Sequence, residues 1–322
     1  MRMQEKLQVF LVTYNRADYL KESIASILKQ TYSEFELVIL DNCSTDHTEK
    51  IVSQFCDGRI KYVRHKENIG GIGNINYAIA SASSKYFMIF HDDDVMKNTM
   101  LEQQINILEA NSELAIVSCK ADIIDADGKC TMEYKGDERL EVFGEGTFFG
   151  DYLSKHQFIL FPAIMYRTDF MRENDLCLKE EVGPSADVYM CFEIEKCKGK
   201  IAILNQSLME YRRHGEQDSS LNRVEMIVKL FRALRKDKYF GNLLKGKKNG
   251  QKKYYKWLMH NEICMMSKGF VSCDLARDAQ KKYEKVMEFA LIDHVFYKIV
   301  ISEQKHLGLT RWLYNFCKKV KG

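Results

Sequence analysis

The first 110 residues alternate short apolar runs with longer segments of helical periodicity. Apolar runs at 7–13, 35–40, 60–63 and 86–90 predict strands, because they are short and rich in β-branched and aromatic residues. The segments between them, such as 18–30, repeat apolar residues every three or four positions and predict helices. Strands that alternate with helices favour an α/β fold with a mainly parallel central sheet flanked by helices.

The pattern becomes mixed after residue 110 and helical after residue 221. The same criteria predict helices at 44–55 (with Ser44 as N-cap), 99–110 and 188–198, and strands at 114–119, 161–166, 201–204 and 208–211. Further helices are predicted at 224–234, 254–266, 276–292 and 309–317. We therefore expect an α/β domain over 1–220 and an α-helical C-terminal extension over 221–322.

Charge is divided at the same place as the pattern. The formal net charge is only +3, yet residues 221–322 contain 23 Lys or Arg against 9 Asp or Glu, whereas residues 1–220 contain 25 against 36. Hydrophobic residues at 46% and charged residues at 29% are ordinary for a globular protein, which excludes disordered and collagen-like classes. The chain therefore combines an acidic domain with a basic helical extension.

The sequence also carries information on where in the cell the protein is expected. No run of about 18 apolar residues predicts a membrane-spanning helix, and the first residues do not have the pattern of a signal peptide. The ten cysteines are scattered without a C-x-x-C pair, which favours reduced, mostly buried thiols over a disulfide or metal framework. These features predict a cytoplasmic protein.

Polar segments follow the first four predicted strands. They occupy 13–16, 41–46, 68–74 and 91–94. In a parallel sheet, ligands bind beyond the carboxyl ends of the strands, so these segments are expected to meet at one edge. Each segment alone is typical of a turn, but four of them at one edge predict a binding site.

The last of these segments contains three adjacent carboxylates, Asp92, Asp93 and Asp94. They repel one another, and burial at a strand end requires solvent or a cation to stabilise them. Oxygen ligands of this kind suit Mg²⁺ or Mn²⁺ together with substrate phosphates. The alternative is a solvated turn that caps the following helix.

The glycines at 70, 71 and 73 do not form a dinucleotide-binding fingerprint. That fingerprint belongs in the first βα turn, and Asn76 stands where its third glycine would be. These glycines either allow a ligand to approach the backbone or form a tight turn. Asp41 is equally ambiguous, because it suits a hydrogen bond to a base or ribose and also a helix cap.

Together the motifs resemble the family 2 glycosyltransferases, which are inverting enzymes of the GT-A fold that use nucleotide-sugar donors. The matching segments agree in order and spacing over about residues 1–110, and the similarity is traceable to about 220. They lie at 12–16 (Val-Thr-Tyr-Asn-Arg), 26–32, 36–46, 68–70 and 86–94. The sequence departs from the family at Ile75, where arginine is common, and at His91, where the first acidic residue is common.

The resemblance implies a role for each matching residue. Asp93 would bind a divalent cation, Mn²⁺ or Mg²⁺, which stabilises the departing diphosphate. The other residues that would contact the nucleotide-sugar are Thr13, Asn15, Arg16, Asp41, Asn68, Gly70, Asn76, Asp92 and His214. In particular, Asp41 would face a uracil-type base and Asp92 the ribose and diphosphate. For His214 the alternative is an ordinary loop histidine.

An inverting transfer also requires a base near the acceptor hydroxyl. The segment 183–190 resembles the family's acidic motif before a helix, which makes Asp187 the candidate base, although Ala186 replaces the usual acidic neighbour. The alternative is that Asp187 only caps the following helix. In the implied mechanism, Asp187 accepts the acceptor's proton and the oxygen attacks the anomeric carbon in a single displacement.

The implied function is transfer of a hexose or N-acetylhexosamine, with UDP as the expected nucleotide, to a hydroxyl of a glycan or lipid-linked glycan in surface-polysaccharide biosynthesis. The alternatives are a catalytically silent binding or scaffold protein and a metal-dependent nucleotidyltransferase. The basic extension favours either an anionic membrane surface at the inner face of the membrane or a helical appendage that packs or forms a homo-oligomer. Nucleic acid is not expected as a partner, because no recognised module is present.

Overall fold

The computed structural model describes residues 6–157, 159–214, 223–267, 278–279 and 281–283. The strands in this part of the chain are β1 (Leu7–Thr13), β2 (Phe35–Asp41), β3 (Ile60–Arg64), β4 (Tyr86–His91), β5 (Val95–Met96), β6 (Leu114–Ile124), β7 (Cys130–Met132), β8 (Leu140–Phe143), β9 (Met165–Arg167) and β10 (Lys200–Arg212). The helices are α1 (Ala17–Leu28), α2 (Thr48–Val52), α3 (Gly70–Ser81), α4 (Met100–Ala110), α5 (Thr147–Lys155), α6 (Thr168–Glu173), α7 (Ala186–Lys196), α8 (Arg223–Lys236), α9 (Lys238–Gly246) and α10 (Lys248–Ser267), with 3₁₀ helices at Phe161–Ala163 and Glu180–Ser185.

All ten strands belong to one mixed sheet. Its order is β3-β2-β1-β4-β9-β6-β10-β5, with β7 paired to β6 and β8 to β10. The first four strands are parallel, as predicted, and Thr13 pairs with Asp41 while Val12 pairs with His91. The second half adds the antiparallel neighbours β9 and β5 around the parallel pair β6 and β10. The ends of β1, β2 and β4 therefore lie side by side.

The core is formed by the two faces of this sheet and the helices against them. The strands β1, β2 and β4 are buried along nearly their whole length, which explains their continuous apolar sequences. In α1 the side chains of Leu20, Ile24 and Ile27 lie on one helical face and are fully buried. Burial on both faces fixes the register of these strands and with it the positions of the loops that follow them.

Three predicted elements differ from the structure. The helix predicted at 44–55 is only α2, because Ser44 donates its N–H to Asp41 and accepts a bond from Asn15 instead of capping a helix. The strand predicted at 161–166 is a 3₁₀ helix followed by β9, because Pro162 lacks the N–H that a strand ladder needs. The strands predicted at 201–204 and 208–211 are one strand, β10, with register shifts between them.

The chain divides into two compact units. One contains the described residues up to 149 together with 159–214, and the other contains 150–157 together with those from 223 onwards. In the second unit, Tyr152 and Tyr254 join their hydroxyls at 2.7 Å, and His156 stacks on Trp257 with ring centroids 4.8 Å apart. Helix α9 was not predicted. Within the helix predicted at 276–292, residues 278–279 and 281–283 are described and helical. The rest of that helix and the whole helix predicted at 309–317 lie outside the described residues.

Two general expectations can be compared with the described residues. No helix among them is long and apolar enough to cross a membrane. The seven cysteines whose side chains the structure describes are free, but only Cys119 and Cys191 among them are buried, so the expectation of mostly buried thiols is wrong for these seven.

The hydroxyl of Tyr166 leads to a stability prediction. The Tyr166 ring is fully buried and stacks on Phe87 with centroids 4.8 Å apart, but its Oη has no hydrogen-bond partner within the described part of the chain. Tyr166→Phe keeps the ring and removes a buried, unpaired hydroxyl, so we expect the free energy of unfolding to rise by about 1 kcal/mol in denaturant titrations.

Tyr86→Phe is the matched control for this change. The Tyr86 hydroxyl accepts a hydrogen bond from Arg167 Nη1 at 3.3 Å, so its removal should lower the free energy of unfolding. A Tyr166→Phe protein less stable than the wild type would contradict the assignment of an unpaired hydroxyl.

Candidate active site

Asn15 joins the loop after β1 to the loop after β2. Its backbone has a φ of +52°, a left-handed conformation that asparagine adopts more readily than most residues. In this conformation its N–H donates to Ser44 Oγ at 2.9 Å, and its Oδ1 accepts from the N–H of Thr45 at 2.7 Å. The two loops are therefore held as one surface at the carboxyl edge of the sheet.

Asn42 extends this surface to the loop after β3. Its N–H donates to the carbonyl of Thr13 at 3.0 Å, and its Nδ2 donates to Asn68 Oδ1 at 2.9 Å. Its own Oδ1 accepts from the N–H of Ile69 at 2.9 Å. The sequence reasoning did not single out Asn42, although its position directly after Asp41 at a strand end was the available signal.

Asp41 is fully buried and both of its carboxylate oxygens have partners. Oδ1 accepts from the N–H of Ser44 at 2.8 Å, and Oδ2 accepts from the Tyr62 hydroxyl at 2.5 Å and lies 3.7 Å from Arg64 Nε. Burial, together with the bond to Asp41, raises the pKa of Tyr62 above its usual range. These partners are a loop N–H and side chains of β3, whereas α2 begins only at Thr48, so the helix-cap alternative for Asp41 is wrong. Its contact with a base stays a prediction.

The glycine segment forms the first turn of α3 instead of a free loop. Gly70 has a φ of +78°, and its N–H donates to Asn68 Oδ1 at 2.8 Å. Further along α3, the amide of Asn76 exchanges two hydrogen bonds with the backbone of Leu178, at 2.9 and 2.8 Å. Asn68 and Gly70 therefore lie at the site edge, whereas Asn76 connects α3 to the segment that precedes α7.

The three carboxylates after β4 are almost completely buried. Asp92 and Asp93 are 5% exposed and Asp94 is 0% exposed. Asp93 Oδ2 binds Arg16 Nη1 at 2.5 Å and His214 Nε2 at 2.9 Å. Residues far apart along the chain thus supply the groups that surround Asp93.

The pKa values of the three carboxyls move in different directions. Burial raises the pKa of Asp92 to about 7, and the negative charge of Asp93 adds to this effect. Burial and Asp93 likewise raise the pKa of Asp94 well above its usual range. Burial also opposes ionisation of Asp93, but the imidazole of His91 and the two groups bonded to Oδ2 outweigh it and lower its pKa. Asp93 is therefore the carboxylate that keeps its negative charge.

The donor atoms at this position fit a divalent cation. His91, Asp93 and Asp94 each offer a ligand atom, and these atoms lie within 4.8 Å of one another. Asp92 Oδ2 and Asp94 Oδ2 are buried without a hydrogen-bond partner among the residues described. Carboxylate oxygens with one imidazole are ligands that Mn²⁺ accepts. His91, which replaces the family's acidic residue, is thus placed among the candidate ligands.

His214 and Arg212 reach the carboxylates from the end of β10. The His214 ring lies 5.3 Å from the ring of Tyr19, which orients its Nε2 towards Asp93. Arg212 is 2% exposed and lies over the Tyr19 ring at 4.9 Å.

Arg212 fixes the geometry of the acidic segment. Its N–H donates to Asp94 Oδ1 at 2.9 Å, and its Nε donates to the carbonyl of Asp93 at 2.8 Å. The guanidinium also donates to the carbonyls of Asp125 and Ala126 and pairs with Glu22. No feature of the sequence distinguished Arg212 from the exposed Arg213 that follows it.

Asp187 lies in different surroundings from the three carboxylates. It is the second residue of α7 and is partly buried beside a narrow apolar crevice, whose other lining residues are Phe148, Ile159, Ile164, Val188 and Cys191. Its Oδ1 accepts from the N–H of Val188 at 2.7 Å. Burial raises the pKa of Asp187 to about 6. A carboxyl with this pKa can accept a proton near neutral pH.

The structure brings most of the predicted site residues together through direct contacts. Hydrogen bonds connect the end of β1, the two loops beside it and the acidic segment. The residues in this group are Thr13, Asn15, Arg16, Asp41, Asn68, Gly70, Asp92, Asp93 and His214. Asn76 and Asp187 make their contacts elsewhere, with Leu178 and with α7.

Comparison with known proteins gives a consistent result. The sequence profile described as Glycosyl transferase family 2 matches residues 8–172. An uncharacterized glycosyltransferase of Haemophilus influenzae is 28% identical over 222 residues, which cover 67% of this chain and 68% of the relative. The poly(ribitol-phosphate) beta-N-acetylglucosaminyltransferase TarS of Staphylococcus aureus is also 28% identical over 222 residues, but these cover only 37% of TarS.

Solved structures share the fold at low identity. A crystal structure of S. aureus TarS with UDP-GlcNAc has a TM-score of 0.61 and 19% identity, covering 88% of this chain and 90% of that one. The mannosyltransferase PcManGT of Pyrobaculum calidifontis, in complex with GDP-Man and Mn²⁺, has a TM-score of 0.57 and 14% identity, covering 98% and 89%.

The buried position of Arg212 predicts a large effect of a conservative substitution. A lysine cannot reproduce the fork of hydrogen bonds, so Arg212→Lys should lower the free energy of unfolding by about 2–4 kcal/mol. Arg213→Lys, at the exposed neighbouring position, should change it by less than about 0.5 kcal/mol. Equal stability of the two variants in denaturant titrations would refute this role of Arg212.

Proposed function

The chain belongs to glycosyl transferase family 2 and is a glycosyltransferase of the GT-A fold, and from this premise we propose its donor, acceptor and mechanism. The donor is a UDP-hexose or UDP-N-acetylhexosamine, and the acceptor is a hydroxyl of a glycan or lipid-linked glycan in surface-polysaccharide biosynthesis. Transfer proceeds with inversion. The observation that carries the proposal is the group of polar residues gathered around Asp93 at the carboxyl edge of the sheet.

The choice of donor is supported by the relatives. TarS is named as an N-acetylglucosaminyltransferase, and its structure is described with UDP-GlcNAc. A structural neighbour is described with GDP-Man, so a GDP-sugar is the donor to compare with the UDP-sugars. We favour UDP-N-acetylglucosamine as the first donor to assay.

The nucleotide-sugar is expected along the edge that the asparagines build. Thr13, Asn15 and Asn68 would contact the nucleoside, with Gly70 allowing close approach of the backbone. Arg16, Asp92 and His214 would face the ribose and diphosphate. Asp41 and Asn76 would act on this surface through the partners they already have, Ser44 and Tyr62 for the first and Leu178 for the second.

The carboxylates divide the chemistry between them. A divalent cation held by Asp93, with His91 and Asp94 within reach, would supply positive charge for the leaving diphosphate. Asp187 accepts the proton of the acceptor hydroxyl as its oxygen attacks the anomeric carbon. Burial beside the apolar crevice raises the pKa of Asp187 to about 6, so the group is largely ionised at neutral pH yet basic enough to accept a proton.

Replacing Asp187 tests this assignment. With UDP-N-acetylglucosamine, Mn²⁺ and a glycan acceptor, Asp187→Asn should lower the transfer rate by at least about a hundredfold, because an amide cannot accept the proton. Asp127→Asn, at an exposed turn, should transfer at the wild-type rate. Transfer by Asp187→Asn at a rate close to the wild type would remove Asp187 from the role of base.

The raised pKa of Asp187 fixes the sign of two pH effects. The transfer rate should fall about tenfold per pH unit below about pH 6, as the carboxylate becomes protonated. In the folded state a raised carboxyl pKa lowers stability as the pH rises from about 4 to about 6. Asp187→Asn should therefore be more stable than the wild type at pH 8, by about 1–3 kcal/mol, with the difference shrinking towards pH 4.

We also propose that the second unit binds anionic membrane surfaces. Residues 232–253 contain nine Lys or Arg and one Asp. Helix α10 buries Gln251, Tyr254 and Leu258 on one face and exposes lysines on the other. We call the exposed set the basic surface, and it consists of Arg232, Lys236, Lys238, Lys245, Lys248, Lys252 and Lys253. A membrane location suits an enzyme that extends a lipid-linked glycan.

Vesicle flotation tests the basic surface. Replacing Lys248, Lys252 and Lys253 with glutamate should weaken binding to vesicles containing phosphatidylglycerol by about a hundredfold, since each lysine contributes about 1 kcal/mol. The control carries the same charge change at exposed lysines of the first unit, Lys50, Lys61 and Lys135. Equal loss of binding in both triple variants, or no binding by the wild type, would contradict this membrane role.

A further inference from the structure

We propose that the guanidinium of Arg16 occupies a cation position next to Asp93 and moves away from it when a divalent cation binds. This inference rests on the proposed function, which supplies the need for the cation. Family membership does not specify this competition between the Arg16 guanidinium and a divalent cation for Asp93.

A single nitrogen atom of Arg16 occupies the position in question. Nη1 lies 2.5 Å from Asp93 Oδ2, 3.2 Å from His214 Nε2 and 4.0 Å from Asp92 Oδ1. Two carboxylate oxygens and an imidazole nitrogen therefore converge on one positively charged atom. Carboxylate oxygen and imidazole nitrogen are also types of atom that hold Mn²⁺ in proteins.

The candidate metal ligands include the same carboxylate. Asp93 also belongs to the cluster with His91 and Asp94 whose ligand atoms lie within 4.8 Å of one another. A cation bound by Asp93 would lie close to the guanidinium, and two positive charges at this separation repel strongly where water is excluded. Simultaneous occupation is unfavourable, so binding of one displaces the other.

Withdrawal of the guanidinium leaves the backbone of Arg16 in place. The carbonyl of Arg16 accepts from the N–H groups of Tyr19 and Leu20, at 3.2 and 3.1 Å, so its backbone is held at the start of α1. Its side chain is 25% exposed, so the guanidinium borders on solvent. The acidic segment keeps other partners without it, because Arg212 donates to the backbone carbonyl of Asp93 and to Asp94 Oδ1, and His214 Nε2 contacts the Asp93 carboxylate.

The displaced guanidinium would bind the diphosphate of the donor in the proposed reaction. Ile75 stands where the family often has an arginine, so the chain lacks a cation at that position. Arg16 follows β1 directly, beside the expected nucleotide edge, and a guanidinium pairs well with phosphate oxygens. Arg16 would thus neutralise the carboxylates before the metal binds and the diphosphate afterwards.

Direct measurement of Mn²⁺ binding tests the competition without any sugar transfer. Isothermal titration with MnCl₂, in the absence of nucleotide, compares the wild-type protein with Arg16→Ala, Arg16→Lys and Arg213→Ala. Arg16→Ala should bind Mn²⁺ about tenfold more tightly than the wild type, and Arg16→Lys should lie between them. Arg213→Ala, an exposed arginine next to His214, controls for the loss of one positive charge and should stay within about twofold of the wild type.

A second measurement follows the released guanidinium. With saturating Mn²⁺, Arg16→Ala should bind UDP-N-acetylglucosamine more weakly than the wild type, by about tenfold. Unchanged or weaker Mn²⁺ binding by Arg16→Ala overturns the competition, as does the absence of Mn²⁺ binding in every variant. A donor-hydrolysis assay with wild-type protein separates this failure from failure of the proposed function, because hydrolysis reports transfer chemistry whether or not Arg16 competes with the metal.

Discussion

Three consecutive carboxylates at the end of a buried strand set the main electrostatic constraint on this protein. Residues 92–94 are each 5% exposed or less, and removing a carboxylate from water costs several kcal/mol unless charges or hydrogen bonds replace that water. The replacement comes from distant parts of the chain, namely Arg16 after β1 and both Arg212 and His214 at the end of β10. The acidic segment can be buried only in a sheet that brings these ends together.

The two arginines that meet this constraint do so in different ways. Arg212 is buried, bonds to backbone carbonyls on both sides and stacks on Tyr19, so its position is determined by the fold. Arg16 is a quarter exposed, and its Nη1 bonds to groups that could also bind a metal. One arginine therefore maintains the shape of the acidic segment, while the other supplies positive charge that can be exchanged.

The sequence predicted what depends on local pattern and missed what depends on distant contacts. The bounds of β1 were predicted correctly, because apolar residues fill a strand that is buried on both faces. The length of α2 was not, because Ser44 bonds across to Asn15 instead of capping the helix. The clustering of site residues followed from parallel topology. The inward direction of Arg212 accompanies its contacts with Glu22 and with the backbone at Asp125 and Ala126, and no sequence motif indicates those contacts.

Asp93 and Asp187 show how the fold gives one residue type two different pKa values. The neighbouring His91, His214 and Arg16 outweigh the burial of Asp93 and lower its pKa, which would suit a carboxylate that holds a cation in the proposed function. Burial beside an apolar crevice, without an ion pair to any described Lys or Arg, raises the pKa of Asp187 to about 6. Acid–base chemistry next to a charged leaving group requires two carboxyls with different pKa values, and the surroundings of Asp93 and Asp187 provide this difference. The separation arises because His91, His214 and Arg16 surround Asp93, whereas Asp187 lies in the first turn of a helix beside aromatic and aliphatic side chains.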